Sequence, residues 1–118
     1  MKSITKRKSA FTLVEIMIVV AIIGMLAAIA VPTIARARIV SQRNACIANL
    51  KQIEGAKATW ALEQKKTSTD TPALTDLYGS INTYIRDEVY CPANGIYDPQ
   101  PVQTKATCTE ATTMGHTL

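Results

Sequence analysis

The stretch FTLVEIMIVVAIIGMLAAIAVPTIA, residues 11–35, decides how this chain is organised. Its only clearly polar side chains are Thr12, Glu15 and Thr33, and it has no polar face. A membrane-spanning helix needs about 20 apolar residues, and residues 11–31 provide 21 positions. A helix that is apolar on every side suits lipid or the interior of a helix bundle. We therefore expect this segment to form a helix that enters a membrane.

Four basic residues precede the apolar segment and account for the positive charge of the chain. The 118 residues contain 13 Lys and Arg against 9 Asp and Glu, but beyond Ala10 the count is nine against nine. A basic cluster before a span is a cytoplasmic topology signal, so we expect no nucleic-acid partner. The leader should stay in the cytoplasm, and the part of the chain after the apolar segment should lie on the other side of the membrane. The four basic residues are Lys2, Lys6, Arg7 and Lys8.

The helical pattern continues beyond the apolar segment. Residues 34–66 contain no proline and one glycine, and one face recurs at spacings of three and four. That face carries Ile39, Arg43, Cys46, Leu50, Ile53, Ala56 and Trp60. The residues Lys51, Glu54, Lys57 and Glu63 fall outside it. We predict one helix over roughly residues 12–65, about 80 Å long, with a kink near Gly24 and Pro32 because a proline removes a helical hydrogen bond.

The remaining residues predict a small α+β head. The polar stretch KKTSTDTP, residues 65–72, ends the long helix, and a short helix should follow over residues 72–78. The stretch CPANGIYDPQPVQTKATC, residues 91–108, is predicted to be β, with alternating side chains over residues 102–108 after a turn at residues 98–101. So small a sheet buries little surface alone, so we expect it to pack on the apolar face of the long helix.

The three cysteines occupy different parts of the pattern. A leader that implies export favours a disulfide, and Cys91 and Cys108 both lie in the turn-rich C-terminal part. We predict that these two pair, closing a loop whose cross-link stabilises the fold by about 3 kcal/mol. Cys46 lies in the helical pattern, where we expect a buried thiol acting as a small apolar side chain.

Glu15 leaves three interpretations of the N-terminus open. A lone carboxylate in a membrane helix costs about 2.5–3.5 kcal/mol at the centre and less near an end. A secretory signal peptide would be cut after Ala30 and release a small binding protein that starts at Val31. An uncut chain would stay anchored through residues 1–31. A cut between Ala10 and Phe11 would instead create a positive α-amino group close to Glu15.

The third interpretation is supported by a family resemblance. The stretch AFTLVEIMIVVAIIGMLAAIAVP, residues 10–32, resembles the class III signal of type IV prepilins and type II secretion pseudopilins. It has Phe11 as the first mature residue, Glu15 at the fifth mature position and Pro32 at the twenty-second. The family usually has glycine before the cut, where this chain has Ala10. The C-terminal stretches CPANGIY and TCTEATTMGHTL resemble the tails of small pseudopilin-like proteins.

The resemblance implies an α+β, type IV pilin-like fold. One long N-terminal helix would pack its C-terminal half against a small antiparallel β head that is linked by the disulfide. The expected parts are a cleaved basic leader (1–10), a transmembrane or filament-core half of the helix (11–35), an amphipathic half (36–66) and the head (67–118).

The resemblance also implies a function and its partners. A prepilin peptidase would cut between Ala10 and Phe11 and methylate Phe11. An inner-membrane assembly platform would then polymerise the subunits into a type II secretion pseudopilus in the periplasm or, as the alternative, a type IV pilus at the cell surface. Glu15, with Thr12 beside it, would pair with the amine of an adjacent subunit and set the register of the homo-oligomer.

The residue types do not indicate catalysis. His116 is the only histidine, so we expect no histidine-based metal cluster, no enzyme activity and no cofactor. The resemblance to major pseudopilins implies a calcium site near the C-terminus, but no calcium-loop spacing is present. We therefore expect no metal site. The acidic residues considered as calcium ligands are Asp87, Glu88, Asp98 and Glu110.

Overall fold

The computed structural model describes residues 9–118, so the predicted topology signal in the basic leader lies outside the described residues. The chain forms one long helix followed by short elements. Helix α1 is Leu13–Glu63, α2 is Leu74–Leu77, β1 is Tyr97–Asp98, β2 is Thr107–Cys108 and α3 is Ala111–Met114. A long N-terminal helix with a small antiparallel sheet confirms the predicted α+β, pilin-like fold.

Helix α1 has 51 residues and runs without interruption through Gly24 and Pro32. One residue after the proline, the Thr33 hydroxyl donates a hydrogen bond to the Ile29 carbonyl at 3.1 Å. The predicted bounds, residues 12–65, are within two residues of the observed ends. The kink at Gly24 and Pro32 stays a prediction.

Contacts divide the chain into two units, residues 1–36 and residues 37–118. In the described part of the first unit the large apolar side chains of α1 are exposed, from Leu13 at 76% to Ile34 at 66%. Within the part of the chain that the structure describes, α1 is the one helix long and apolar enough to cross a membrane. The second unit has its own hydrophobic core.

The core of the second unit forms where the amphipathic part of α1 meets the head. The buried side chains of α1 lie on one face, because residues three and four apart share a side of a helix. They pack against residues from the head, and together they are Cys46, Leu50, Ile53, Ala56, Trp60, Leu77, Cys91, Tyr97, Ala106 and Cys108. The predicted face is wrong at Ile39 and Arg43, which are exposed because the buried contacts of α1 begin at Cys46.

The sheet is smaller than the sequence predicts. β1 and β2 are antiparallel and pair Tyr97 with Cys108 and Asp98 with Thr107. The predicted strand over residues 102–108 is wrong except at its end, because its first amides bond elsewhere. The Val102 and Gln103 amides each donate at 3.0 Å to carbonyls of the α1–α2 connection, and so cannot join a ladder.

The second helix also differs in length from its prediction. α2 begins at Leu74 rather than at residue 72. The Ala73 amide, just before the helix, donates a hydrogen bond to the Asp76 carboxylate at 3.1 Å. It ends at Leu77, whose carbonyl accepts the Ile85 amide at 2.8 Å. Gly79 follows with a φ of 99°, a conformation that suits glycine because it has no Cβ.

Candidate functional site

The predicted cleavage site lies just before α1. Ser9 to Thr12 have no helical structure, and Ala10 and Phe11 are exposed, Phe11 at 84%. A protease needs an accessible backbone that is free of helical hydrogen bonds, and Ser9 to Phe11 meet both conditions. Cleavage and methylation at Phe11 stay predictions.

Thr12 and Glu15 form a capping box at the start of α1. The Thr12 amide donates to Glu15 Oε2 at 2.8 Å, and the Glu15 amide donates to Thr12 Oγ1 at 3.3 Å. Such reciprocal bonds satisfy two amides that a helix start leaves unpaired, and a cap of this kind stabilises a helix by about 1 kcal/mol. This role was not predicted from the sequence, although threonine followed three residues later by glutamate is the known signature of a capping box.

The capping box is compatible with the predicted register role of Glu15. The Thr12 amide belongs to the bond between Phe11 and Thr12, so a cut before Phe11 leaves the box intact. An ionised carboxylate offers about four acceptor sites, and the box uses one of its oxygens. Glu15 can therefore cap its own helix and still accept a bond from an amine on another chain.

A second group of chemically active residues lies in the head. It consists of Cys46 on α1, Cys91, Cys108 on β2 and His116 near the C-terminus, and we call it the sulfur–imidazole cluster. The three sulfur atoms and one imidazole nitrogen all lie within 4.8 Å of one another, and all four residues are buried. All three cysteines are free thiols, so the Cys91–Cys108 disulfide stays a prediction.

Burial and hydrogen bonding shift the pKa values of the three thiols in different directions. Burial raises the pKa of Cys46 to about 12. Burial also acts to raise the pKa of Cys91, but hydrogen bonds from the Ala93 and Gly95 amides outweigh it, so this pKa lies below its ordinary value. For Cys108, burial outweighs the bond from the Glu110 amide and raises the pKa. Cys91 is thus the thiol with the most stabilised thiolate.

Gly95 lies against two of these sulfur atoms. A methyl group added at its Cα would be 2.5 Å from Cys108 Sγ and 3.3 Å from Cys91 Sγ. Real Cβ atoms do not approach sulfur to 2.5 Å, so only glycine lets the backbone pass here.

A buried lysine, which sequence reasoning placed outside the apolar face, joins the head to α1. Lys57 is 1% exposed, and its ammonium donates to Glu54 Oε1 at 2.7 Å and to the Pro99 and Thr104 carbonyls at 2.9 and 2.5 Å. Glu54 also accepts a hydrogen bond from the Ala106 amide. The prediction for Lys57 was wrong because its charge is satisfied by loop carbonyls that a helical pattern does not reveal.

The four acidic residues considered for calcium do not form a ligand group. Within residues 9–118 no three of them bring carboxylate oxygens together as the sulfur–imidazole cluster brings its ligand atoms. Asp98 accepts hydrogen bonds from the backbone and side chain of Gln100 at 3.0 and 2.7 Å, and Glu110 accepts the Thr113 hydroxyl at 3.1 Å. These contacts shape local turns.

The N-terminal segment is similar to segments of known proteins. Residues 5–31 match the family described as "Prokaryotic N-terminal methylation motif". Over 62 residues the chain is 42% identical to "Type IV major pilin protein PilA" of Myxococcus xanthus (strain DK1622). That alignment covers 52% of this chain and 28% of the relative, so the chain matches little more than a quarter of that protein's length. No solved structure matches the chain.

The methylation motif and the apolar helix together are typical of pilin-like subunits with a prepilin-type N-terminus, and the helix is long and apolar enough to cross a membrane. The motif and the identity to a type IV major pilin then support the narrower family of type IV pilins and pseudopilins. The resemblance seen in the sequence is thereby confirmed.

Proposed function

We propose that this chain is a filament subunit of a type II secretion pseudopilus. It enters the inner membrane as a single-pass protein with its leader in the cytoplasm and its head in the periplasm. Prepilin peptidase removes residues 1–10 and methylates Phe11. The assembly platform then extracts the subunit from the membrane and packs it against earlier copies through α1.

The observation that carries this proposal is the exposed apolar surface of the first part of α1. Every large apolar side chain from Leu13 to Ile34 is at least half exposed, and the methylation motif covers most of this stretch. Apolar surface is stabilised by about 25 cal/mol per Å² when it leaves water. Lipid covers it before assembly, and the helices of neighbouring subunits cover it in a filament.

The decisive measurement for processing is the mass of the mature N-terminus. The chain is expressed with its prepilin peptidase, purified from membranes and analysed by mass spectrometry. We expect N-methylated Phe11. A start at Val31 would instead show a secreted binding protein, and a start at Met1 would show an uncut anchor. Either result would overturn the proposal.

The residue before the cut provides a matched pair of variants. Ala10→Gly restores the residue that the family usually carries, and we expect processing at least as fast as in the parent. Ala10→Leu places a bulky side chain at the same position and should block the cut. Equal processing of Ala10→Leu and the parent would show that the peptidase does not recognise the residue at position 10.

The type IV pilus is the second candidate, because the curated relative is named a type IV major pilin. The small head and the resemblance of the tail favour the pseudopilus. A deletion strain distinguishes them. Loss of the pseudopilus leaves secreted enzymes in the periplasm, whereas loss of a pilus removes surface filaments and leaves secretion unchanged.

The proposed role assigns no catalysis to the chain itself. The covalent chemistry is carried out on Phe11 by the peptidase, and the filament forms through packing and charge pairing. No enzymatic cofactor is needed for this function. The chain acts as a structural protein.

A further inference from the structure

The strongest unexplained feature is the sulfur–imidazole cluster. Its four ligand atoms lie within 4.8 Å of one another, and tetrahedral zinc with Zn–S bonds of about 2.3 Å holds its ligands about 3.7 Å apart. Small side-chain rotations would bring the four ligand atoms from the observed spacing to the spacing of a tetrahedral zinc site. We propose that the sulfur–imidazole cluster is a closed, four-coordinate structural zinc site in the head. This inference rests on the head alone and not on the filament role.

The histidine supplies an independent observation. His116 is fully buried, and its Nδ1 lies 3.8 Å from Cys91 Sγ. Its Nε2 is buried without a hydrogen-bond partner among residues 9–118. A buried polar atom without a partner costs about 1–3 kcal/mol. One imidazole nitrogen lies within 4.8 Å of all three sulfur atoms, so a metal ion bound by the sulfurs has a fourth ligand within reach.

Backbone amides surround the sulfur atoms as they would surround thiolates. The Ala93 and Gly95 amides bond to Cys91, and the Glu110 amide bonds to Cys108. An amide that donates to sulfur stabilises negative charge there, which is the form that binds metal. The close pass of Gly95 between the two sulfur atoms makes part of this arrangement possible.

Contacts from α1 and from the sheet hold the three ligands of the head in place. Asn49 Nδ2 donates to the Tyr90 carbonyl at 3.1 Å, next to Cys91 in sequence. Arg43 Nε donates to the Gly115 carbonyl at 3.1 Å, next to His116. Cys108 is held by its pairing with Tyr97. Supporting contacts of this kind orient the ligands of structural metal sites.

A disulfide explains the cluster less completely than zinc does. A bond between two of the sulfurs uses two of the four groups and leaves the third thiol and the imidazole outside the cross-link. A zinc ion engages all four groups, and a set of three thiolates and one imidazole in tetrahedral reach is typical of structural zinc. Since no ligand position remains open, the site is not catalytic.

The site would act as the cross-link of the head. Its ligands come from α1, from the connection between α2 and β1, from β2 and from the C-terminal tail, whereas the sheet has only two residues in each strand. Small domains with little core are commonly stabilised by metals or disulfides. Zinc would therefore hold the C-terminal tail, β2 and the connection between α2 and β1 on α1.

The first test uses the full chain, purified in detergent without reductant or added chelator. We expect about one zinc per chain by elemental mass spectrometry and three alkylatable cysteines after denaturation with EDTA. Less than a tenth of a zinc per chain, in protein that also fails to take up added Zn²⁺ stoichiometrically, would overturn the proposal. Two cysteines that react only after reduction would show the predicted disulfide instead and would also overturn it.

Variants at His116 separate ligation from packing. His116→Ala should weaken Zn²⁺ binding by at least about 100-fold, because even outer contacts of such sites contribute 10–100-fold. His116→Cys supplies a new ligand and should restore binding, whereas Thr117→Ala, at the exposed neighbour, should bind like the parent. Co²⁺ provides the readout, since thiolate-to-cobalt absorption reports tetrahedral sulfur ligation. Equal Zn²⁺ affinity of His116→Ala and the parent would overturn the assignment of His116 as a ligand.

Discussion

Two glycines of the chain show how a single methyl group acts at different positions. Gly55 lies in α1 and has nothing within 4 Å of an added Cβ, whereas Gly95 has Cys108 Sγ at 2.5 Å and Glu110 Cγ at 2.9 Å. Glycine lowers helix stability in the first case and permits a close approach in the second. Glycine therefore lowers the stability of the fold at position 55 and is required for it at position 95.

The substitutions Gly95→Ala and Gly55→Ala should change stability in opposite directions. Gly95→Ala forces two sulfur atoms and a side chain to move and should lower the free energy of unfolding by about 1–3 kcal/mol. Gly55→Ala should raise it by about 0.5–1 kcal/mol through helix propensity. Denaturant unfolding in detergent, followed by the fluorescence of Trp60, measures both. An unchanged stability of Gly95→Ala would contradict the close packing at the sulfur atoms.

One substitution separates the observed capping contact of Glu15 from its predicted role in setting the register. Glu15→Gln keeps a carbonyl oxygen for the Thr12 amide and removes the charge, so it should preserve the start of α1. If charge pairing with the Phe11 amine of a neighbour sets the register, Glu15→Gln should still abolish most filament formation. Pelleting of sheared filaments and electron microscopy measure this outcome.

The control for that experiment is Glu63→Gln, at the exposed C-terminal end of α1. It removes one carboxylate from the same helix and should assemble like the parent. Normal filaments from Glu15→Gln would show that the cap, and not the charge, is why Glu15 is present.

At the scale of elements, α1 is one helix with two different environments. Its first part exposes apolar side chains on all sides, whereas its later part buries one face against α2, the sheet and the loops. Lys57 secures the loop of residues 99–104 to this later part through carbonyl oxygens, and Glu54 secures the Ala106 amide. The loop has almost no sheet hydrogen bonds of its own, so these contacts determine its position.

Lys57→Met should lower the free energy of unfolding by about 3 kcal/mol. The substitution leaves Glu54 without its cation and three loop carbonyls without a donor, and breaking a buried pair costs about 3–5 kcal/mol. Lys51→Met, at an exposed position of the same helix, is the matched control and should cost less than about 0.5 kcal/mol. Both are measured by denaturant unfolding with Trp60 fluorescence, and similar losses in the two variants would contradict the anchoring role.

At the scale of the whole molecule, the two units have unlike surfaces. The described part of residues 1–36 exposes an apolar helix, whereas residues 37–118 enclose a core of their own. The first unit suits lipid and the second suits water. This division is what a protein needs if it is stored in a membrane and later packed through one helix.

A fragment of residues 37–118 should therefore fold alone and remain soluble without detergent. The buried residues of the core begin at Cys46, so no core contact is removed by the truncation. Dispersed amide signals in an NMR spectrum and cooperative thermal unfolding are the expected results. A fragment with the spectrum of an unfolded chain would show that the head depends on residues 1–36.

The sequence by itself determined the elements whose physics is local. An apolar run of 21 positions and a three-and-four spacing depend only on neighbouring residues, so they predicted α1 almost to its ends. The signature at residues 10–15 likewise placed the candidate cleavage site. Which side of a helix is buried follows from the spacing of its apolar residues, and this spacing is visible in the sequence.

Only the tertiary structure decided the contacts between distant residues. The predicted strand was wrong at its start, because the Val102 and Gln103 amides bond to the α1–α2 connection, and it forms only at Thr107–Cys108. Lys57 was placed outside the buried face because its partners lie more than 40 residues away in sequence. The four members of the sulfur–imidazole cluster span residues 46–116, and nothing in their local patterns brings them together. Long-range pairing depends on how loops close, and local spacing does not encode this.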